Sequence, residues 1–235
     1  MDVQVFVGFD SREAVAYEVC VQSLRERSAR RLPVTPLLEP HLRATGLYRR
    51  VHERRDGRLW DRLSGAPMST EFALTRFLVP QLAEADWALY CDCDFLWRAD
   101  PAALFALADP RFAVMVVPHE QHVRETVKMD GQLQLAYRRK NWSSLMLWNC
   151  RHPAHAPLAE ALHRWPGRQL HGFDWLADEL IGMLPEAWNW LEGYSAPGID
   201  ARAVHFTRGT PDLPGYEEVP YAAEWHAVRE RVGGR

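Results

Sequence analysis

The sequence predicts an α/β fold in which a mainly parallel central sheet is flanked by helices. Strand patterns alternate with helix patterns along the chain, and this order produces parallel sheets with right-handed crossovers. Residues 112–117 form an unbroken apolar run, as expected for a strand that is covered on both faces, and residues 142–149 resemble a second buried strand. With 235 residues the chain can bury a large core, and we expect one domain over residues 1–235.

The first half of the chain begins with a strand at residues 3–8, where β-branched residues alternate until Gly8. A helix should follow, with Ser11 as its N-cap and Val19 and Leu24 on its apolar face. The remaining elements of this half are a short strand at 34–38, an arginine-rich stretch, a turn at 64–67, and a helix that starts at Ser69 or Thr70 and carries apolar residues to Leu82.

The second half begins with an apolar strand at residues 87–90, which delivers Asp92 and Asp94 at its carboxyl end. Ligands of such sheets bind outside the carboxyl ends of the strands, where Asp10 also falls. The later elements are a helix at 101–108 capped by Asp100, a strand at 112–117, a turn at 129–131, a strand at 142–149, helices around 156–165 and 175–183, and a Pro- and Gly-rich loop at 209–220.

The charge balance excludes some partners. A formal net charge of −3 gives no overall attraction to nucleic acid, and we expect no nucleic-acid partner. Residues 43–62 are a local exception to this balance, because they carry an excess of positive charge. This segment is either a solvated arginine-rich loop or helix face, or a surface for an anionic acceptor or for peripheral contact with a membrane. Its seven arginines are Arg43, Arg49, Arg50, Arg54, Arg55, Arg58 and Arg62, against Glu53, Asp56 and Asp61.

The cysteines and the apolar stretches bear on location. No stretch approaches the roughly 18 apolar residues of a membrane span, and residues 1–9 resemble a first strand more than a signal peptide. We therefore expect a cytoplasmic protein, with peripheral attachment at the inner membrane face as the alternative. The four cysteines lie in apolar segments without a CxxC pair, which favours a reducing compartment: Cys20, Cys91, Cys93 and Cys150.

The pair Asp92 and Asp94 is the main candidate for chemistry. In a regular strand both side chains would point to one face, and two like charges there would raise each other's pKa unless a cation lay beside them. Carboxylates at the end of a buried strand suit Mg²⁺ or Mn²⁺, which prefer oxygen ligands and commonly bridge phosphates. The alternative is an exposed pair that caps the helix near Pro101.

Five sequence blocks follow one another in an informative order. They are 90–97 with its Asp-x-Asp, 100–105, Asn149-Cys150, 178–189 with Leu184-Pro185 and Trp188-Asn189, and 205–209 beginning His205-Phe206. In this order they resemble the GT-A nucleotide-sugar glycosyltransferases, in particular the retaining enzymes of family 8. The resemblance runs from Val3 to about Gly215. It implies a nucleotide-binding part at about 1–100 and an acceptor part at about 101–235.

The resemblance implies that Asp92, Asp94 and His205 hold one divalent ion, Mn²⁺ or Mg²⁺, which grips the diphosphate of a nucleotide sugar such as a UDP-sugar. A metal that meets the charge left on the diphosphate lowers the barrier without moving a proton. Without the resemblance, a neutral histidine in a strand would be the simpler interpretation of His205.

The resemblance also implies a set of donor-binding residues. Gly8 could let a ring approach the backbone closely. Arg76 has the spacing of an arginine near the donor, with pairing to Glu71 or a core carboxylate as its alternative role. Cys93 lies between the two acids. The candidates to contact the nucleotide sugar are Gly8, Phe9, Asp10, Arg12, Arg76, Asp92, Cys93, Asn141, Ser143, Arg208 and Gly209.

Three aspartates are implied near the reacting sugar: Asp178, its competitor Asp174, and Asp130. Residues 128–144 and 171–175 correspond to regions that reach the donor sugar and the acceptor, with a basic solvated loop as the alternative for the first. Two departures matter. Glu179 stands where many relatives have Gln, and Gly209-Thr210-Pro211 replaces a Lys-Pro-Trp whose lysine meets a phosphate. Arg208 or backbone N–H groups of the glycine turn could replace that lysine.

The sequence as a whole predicts a metal-dependent hexosyltransferase that uses a nucleotide diphosphate sugar and retains anomeric configuration. Its acceptor would be a hydroxyl of a glycan, a glycolipid or another molecule. Two alternatives stay open. One is a metal-dependent nucleotidyltransferase or phosphohydrolase, which would also use paired aspartates. The other is a non-catalytic protein that binds nucleotide sugars.

Overall fold

The computed structural model describes residues 3–119 and 139–233, which form three sheets and a set of mostly short helices. The strands are β1 Val3–Gly8, β2 Val34–Leu37, β3 His52–Arg55, β4 Arg58–Asp61, β5 Ala66–Met68, β6 Trp87–Cys91, β7 Phe95–Trp97, β8 Val114–Val116, β9 Leu145–Asn149, β10 Ile181–Met183, β11 Trp190–Leu191 and β12 Ala203–His205. The helices are α1 Ala14–Arg27, α2 Glu39–Ala44, α3 Val79–Leu82, α4 Ala102–Phe105, α5 Leu158–Arg164, α6 Gly167–His171 and α7 Ala222–Arg229.

The central sheet has six strands in the order β10-β8-β9-β6-β1-β2. The pairs β10–β8, β6–β1 and β1–β2 are parallel, whereas β9 runs antiparallel to both of its neighbours. The predicted α/β fold with a mainly parallel sheet is therefore confirmed. Since β9 is reversed, its first residue, Leu145, pairs with Cys91, the last residue of β6. The chain just before β9 thus lies at the same sheet edge as the chain just after β6.

A second sheet, β11-β12-β7, places His205 beside the aspartate pair. Strands β12 and β7 are antiparallel, with His205 opposite Phe95. The N–H of Phe206 donates to the carbonyl of Asp94 at 3.0 Å, which continues this pairing. Strand register therefore joins two parts of the chain that are more than a hundred positions apart in sequence.

The arginine-rich segment forms a third sheet, β3-β4-β5, which is antiparallel. The expectation that this segment is a loop or a helix face is wrong for His52–Arg55 and Arg58–Asp61, which are strands. Asp56 and Gly57 form the β3–β4 turn, and both have positive φ, 50° and 78°. Two consecutive left-handed residues are typical of a two-residue hairpin turn whose twist matches the strands.

Three helix predictions need correction. Residues 175–183 do not form one helix, because a 3₁₀ turn at Asp178–Leu180 leads into β10, whose backbone pairs with β8. Asp10, and not Ser11, is the N-cap of the 3₁₀ turn Ser11–Glu13 that leads into α1, and its side chain accepts from the N–H of Arg12 at 2.9 Å. The helix expected from Ser69 or Thr70 is reduced to a 3₁₀ turn at Thr75–Leu78 followed by the single turn of α3.

Gly8, at the end of β1, is packed against aromatic rings of the protein. A Cβ at this position would lie 2.6 Å from the ring of Phe72 and 2.8 Å from the hydroxyl of Tyr90. Because both neighbours are buried, we expect Gly8→Ala to lower the free energy of unfolding by about 1–3 kcal/mol. Urea unfolding of this variant beside Gly198→Ala, where an added Cβ meets nothing within 4 Å, measures the effect. Equal losses in the two variants would contradict this packing.

Candidate functional site

A cleft opens at the edge of the central sheet where β6 ends and β9 begins. It brings together residues from distant parts of the chain, since β12 and the residues after β5 also contribute to its lining. Eight of the candidate site residues predicted from the sequence line this cleft: Arg76, Asp92, Asp94, Asn141, Ser143, His205, Arg208 and Gly209.

Asp92, Asp94 and His205 converge at one point of the cleft. One oxygen of each carboxylate and one ring nitrogen of the histidine all lie within 4.8 Å of one another. Nε2 of His205 lies 3.3 Å from Oδ2 of Asp94. The three residues therefore offer three ligand atoms to a common centre.

His205 is held in place by Asn189 and Phe95. Its Nδ1 lies 3.0 Å from Oδ1 of Asn189, whose Nδ2 donates to Oγ of Ser144 at 2.9 Å. Because the amide nitrogen is used in this way, its oxygen faces the ring and accepts from Nδ1–H. That arrangement leaves the lone pair of Nε2 directed toward Asp94. The imidazole also stacks on Phe95, with ring centroids 4.6 Å apart.

Arg76 is the cation next to Asp92. Its Nη1 lies 2.9 Å from Oδ1 of Asp92 and donates to the carbonyl of Ser143 at 2.9 Å. The guanidinium lies over the rings of Phe72 and Tyr90, 5.4 and 5.2 Å from their centroids. The structure thus gives Arg76 a core carboxylate as partner, as one of the two sequence interpretations had it, and places it in the cleft as well.

The surroundings of Asp92 disfavour the charged form of its carboxylate. Burial raises its pKa, and the nearby Asp94 raises it further, whereas Arg76 and His205 lower it. The Tyr90 hydroxyl donates to Oδ1 at 2.7 Å. A divalent cation between the two acids would offset both the burial and the repulsion.

The donor set fits a divalent ion. Two carboxylates and one imidazole nitrogen are ligands that Mn²⁺ and Mg²⁺ accept. Each carboxylate oxygen has two lone-pair directions, so the bonds that Asp92 accepts from Arg76 and Tyr90 do not use its whole capacity. The ring nitrogen of His205 that points away from the cleft is bonded to Asn189, as is usual for a histidine that holds a metal.

Glu13 lies in the cleft wall, although no sequence pattern indicated it as a site residue. Burial raises its pKa to about 7, and the charge of Asp94 contributes in the same direction. The thiol of Cys93, between the two aspartates, donates to Oε2 of Glu13 at 3.0 Å. Cys93 is fully buried, and its side chain points to Glu13, directly before α1.

Glu13 should make the stability of the protein depend on pH. In the folded protein it keeps its proton up to about pH 7, whereas the unfolded chain releases it near 4.5. The free energy of unfolding should therefore fall by about 3 kcal/mol as pH rises from 4.5 through 7, and change little from this group at higher pH. Glu13→Gln should remove that fall, while the exposed Glu160→Gln should keep it. Parallel pH curves for wild type and Glu13→Gln in chemical unfolding would contradict this.

Arg208 is paired within the protein. It donates to both carboxylate oxygens of the buried Glu192, at 2.9 and 2.7 Å. Its guanidinium also lies over Gly193, where a Cβ would come within 2.5 Å of it. The carboxylate fixes the position of Arg208 at the cleft wall and compensates part of its charge.

The end of β1 contributes less to the cleft than the sequence suggested. Asp10 is fully buried, and its carboxylate accepts from the N–H groups of Arg12 and Glu71 and from the guanidinium of Arg12. Gly8 faces Phe72, and Phe9 packs edge-on against Tyr17. Within residues 3–119 and 139–233, the cleft lining does not include Gly8, Phe9, Asp10, Arg12 or Cys93.

The three predicted aspartates near the reacting sugar have different positions. Asp178 is exposed and pairs with Arg139 at 2.8 Å, and Asp174 is exposed. Neither belongs to the lining that the described residues form. Asp130 lies outside the described residues. His171, expected near the acceptor, does line the cleft, and its Nδ1 lies 2.8 Å from Oγ of Ser143. Burial lowers the pKa of His171 to about 3, so it stays neutral at ordinary pH.

Two further observations concern the predictions about the cysteines and about membrane spans. All four cysteines are buried free thiols. Across residues 3–119 and 139–233, no helix combines the length and the apolar character that crossing a membrane requires.

Comparisons with known proteins give a clear sequence relative and several structural ones. No protein-family model matches the chain. Protein CDI of Arabidopsis thaliana is 42% identical over 229 residues, which are 94% of this chain and 84% of that protein. Its name states no activity.

Solved structures match at much lower identity. The bifunctional glycosyltransferase WbbM has a TM-score of 0.66 and 12% identity over 98% of this chain, which spans half of that chain's length. The galactosyltransferase LgtC, in complex with donor and acceptor sugar analogues, has a TM-score of 0.60 and 14% identity over 98% of this chain and 96% of its own. The apo form of the glycosyltransferase GlyE of Streptococcus pneumoniae TIGR4 has a TM-score of 0.62 and 14% identity, covering 97% of this chain and 60% of its own. The GT-A fold expected from the sequence is confirmed.

Proposed function

Because the chain belongs to the same protein family as Protein CDI of Arabidopsis thaliana and has a GT-A fold, we propose that it is a metal-dependent glycosyltransferase. It transfers a hexose from a nucleotide diphosphate sugar, a UDP-sugar, to the hydroxyl of a glycan, a glycolipid or another acceptor. The motif resemblance to family 8 supports retention of anomeric configuration.

The observation that carries this proposal is the convergence of Asp92, Asp94 and His205 within 4.8 Å in a cleft at the sheet edge. These residues would hold one Mn²⁺ or Mg²⁺ ion. Such an ion, when bound, supplies positive charge to the diphosphate that leaves the sugar. In GT-A folds as in other α/β sheets, this edge is where a ligand is expected.

The residues around that point suit the polar parts of a donor. Arg76, held by Asp92 and Ser143, adds a fixed positive charge to the cleft. Asn141 and Ser143 offer hydrogen-bonding groups that match sugar hydroxyls. Arg208 and the backbone at Gly209 follow His205 in the sequence and line the same cleft, where they would contact the phosphates.

The reacting sugar is assigned to the region of Asp178, Asp174 and Asp130, as the family resemblance implies. Asp178 is the favoured candidate of the three, because its pairing with Arg139 anchors it next to the segment that precedes β9. No separate general base is required in this proposal, since the departing phosphate oxygen can take the proton of the acceptor hydroxyl. Gly8, Phe9, Asp10 and Arg12 would border the nucleotide from the end of β1, where Asp10 keeps the backbone in place. The proposed location is the cytoplasm.

A thermal-shift matrix tests the proposal. UDP, UDP-hexoses, nucleotide triphosphates and Mn²⁺ are each added alone and in combination to the full chain. Ligands that bind the folded protein raise its melting temperature by mass action. We expect the largest rise with a UDP-hexose together with Mn²⁺, and release of UDP on addition of an acceptor.

Two outcomes would replace the proposal by one of its alternatives. Turnover of a nucleotide triphosphate without any dependence on a sugar would indicate a nucleotidyltransferase or a phosphohydrolase. Tight metal-dependent binding of UDP without turnover of any UDP-hexose, even to water, would indicate a binding protein. Absence of any shift with every nucleotide would refute the site altogether.

A further inference from the structure

The sheet β3-β4-β5 has one face that packs on the protein and one that is accessible in the part of the chain that the structure describes. Leu59 and Met68 are opposite each other in register and both are buried. Side chains alternate along a strand, so the neighbours of these residues point to the other face. The bond from Arg62 N–H to the carbonyl of Val51 extends the same alternation by one residue pair. The outer face therefore carries Val51, Glu53, Arg55, Arg58, Trp60, Arg62 and Pro67.

This outer face combines arginines with accessible apolar side chains. Val51 is 57% exposed, and Leu63 just beyond the face is 44% exposed. Trp60 is half-buried and lies opposite Pro67, with the guanidinium of Arg55 over its ring at 4.5 Å. Aromatic rings, single aliphatic side chains and arginines with long apolar stems are the residue types that occupy the boundary between water and lipid.

The charge of the outer face has the opposite sign to that of the whole chain. The face carries Arg55, Arg58 and Arg62 against Glu53, which gives it a net charge of +2, whereas the chain carries a net charge of −3. Arg55 and Arg58 are directly opposite each other in register, and Arg55 also donates to Glu53 at 2.6 Å. Two further exposed arginines, Arg49 and Arg54, lie outside this face.

We infer that the outer face of β3-β4-β5 docks on the surface of membranes that contain anionic phospholipid. The occupant is the bilayer surface, because a sheet face with net positive charge and separate apolar side chains complements anionic headgroups over a layer of hydrocarbon. Arg50 fixes the sheet to the protein body: it pairs with Asp61 and donates to the carbonyls of Leu162 and Trp165. The docking face is thus rigidly attached.

The sheet β3-β4-β5 that carries the docking face is directly connected along the chain to the cleft. Strand β5 ends at Met68, and the next two residues, Ser69 and Thr70, line the cleft. A protein docked through this face would hold its cleft close to the headgroups. If the proposed function is correct, its acceptor would be a hydroxyl presented at that surface. This last step depends on the proposed function, but docking itself does not.

Vesicle co-sedimentation tests the inference on the full chain. Vesicles of phosphatidylcholine alone are compared with vesicles that also contain phosphatidylglycerol, at low and at high salt. We expect binding only to the anionic vesicles, weakened by salt as screening shortens the range of the charges. Each arginine near such a surface contributes about 5-fold in partitioning, so Arg55→Gln, Arg58→Gln and Arg62→Gln together should weaken binding on the order of 100-fold.

A matched control removes the same charge elsewhere. Arg25, Arg30 and Arg31 are exposed near the end of α1 and the start of β2, and their triple replacement by Gln should keep most of the vesicle binding. Equal losses in the two triple variants, or equal binding to vesicles without phosphatidylglycerol, would overturn the inference. So would binding of an acidic polysaccharide such as polygalacturonate with no vesicle binding.

The thermal-shift response to UDP and Mn²⁺ is recorded for the same variants. The three arginines of the face lie outside the cleft lining formed by the described residues, so that response should persist while vesicle binding is lost. Vesicle binding without any nucleotide response would refute the proposed function and leave the docking surface in place.

Discussion

Asp94→Asn should abolish the metal-dependent binding of a UDP-sugar while leaving the fold intact. The change removes one of three converging ligands and the charge that an ion would neutralise. Loss of residues that only support a metal ligand costs about 10- to 100-fold in affinity, so loss of a ligand should cost on the order of 100-fold or more. Mn²⁺ titration by calorimetry measures this directly, without reliance on enzyme activity.

The same substitution should not destabilise the protein in the absence of metal. The charge of Asp94 raises the pKa of Glu13 and of Asp92, so its removal relieves repulsion at the cleft. Asp86→Asn is the matched control, because Asp86 is exposed and directly precedes β6 at the other end of that strand. Unchanged Mn²⁺ affinity in Asp94→Asn, or an equal loss in Asp86→Asn, would contradict the assignment of this site.

Arg50→Leu should be the most destabilising single substitution that we predict, with a loss of about 3–5 kcal/mol in the free energy of unfolding. Arg50 and Asp61 pair with side chains that are each 1% exposed. Without the guanidinium, Asp61 would remain as a buried charge, and the carbonyls of Leu162 and Trp165 would lose their donor. Chemical denaturation measures the loss, and the melting temperature should fall by about 10 °C.

Two variants make this prediction specific to the buried pair. Arg49→Leu, at an exposed neighbouring arginine, should change the free energy of unfolding by no more than about 0.5 kcal/mol. The double variant Arg50→Leu, Asp61→Leu should recover part of the stability, because no charge then stays buried alone. A loss in Arg50→Leu as small as that in Arg49→Leu would show that the pair does not hold the sheet to α5.

The fold could be predicted from the sequence where the strands are long and apolar. Strands β1, β2, β6 and β9 lie where β-branched and apolar runs indicated them. The short strands β7 and β12 have three residues each, too few for a periodic pattern. The hairpin of β3 and β4 did carry a signal, since Asp-Gly is a strong turn sequence, but the density of arginines concealed it.

The false helix at 175–183 has a local cause. Trp175, Leu176, Leu180 and Met183 have a spacing that a helix could use. In the structure Phe173 has φ of 57°, a left-handed conformation that interrupts the backbone after α6, and Ile181–Met183 forms an edge strand on β8 instead. Pairing with a distant strand outweighed a weak local pattern, and a single sequence does not display such pairing.

The candidate site, too, could be predicted only in part from the sequence. The residue types and the order of the motifs indicated Asp92, Asp94 and His205, which the structure brings together. The contacts that hold them depend on packing: the bond of Asn189 to His205, the position of Arg76 over two rings, and the thiol of Cys93 on Glu13. None of these follows from spacing along the chain, because each joins elements that only the folded sheet brings into contact.

The antiparallel register between β7 and β12 has a consequence for variation of this chain. It couples Asp94 to His205 through two three-residue strands, whatever the length of the connections between Trp97 and Ala203. A one-residue slip within either strand would turn His205 to the opposite face, whereas insertions in the intervening surface loops would leave the two residues adjacent. In the proposed enzyme, the preference for an acceptor could therefore change by loop growth without loss of the contact between Asp94 and His205.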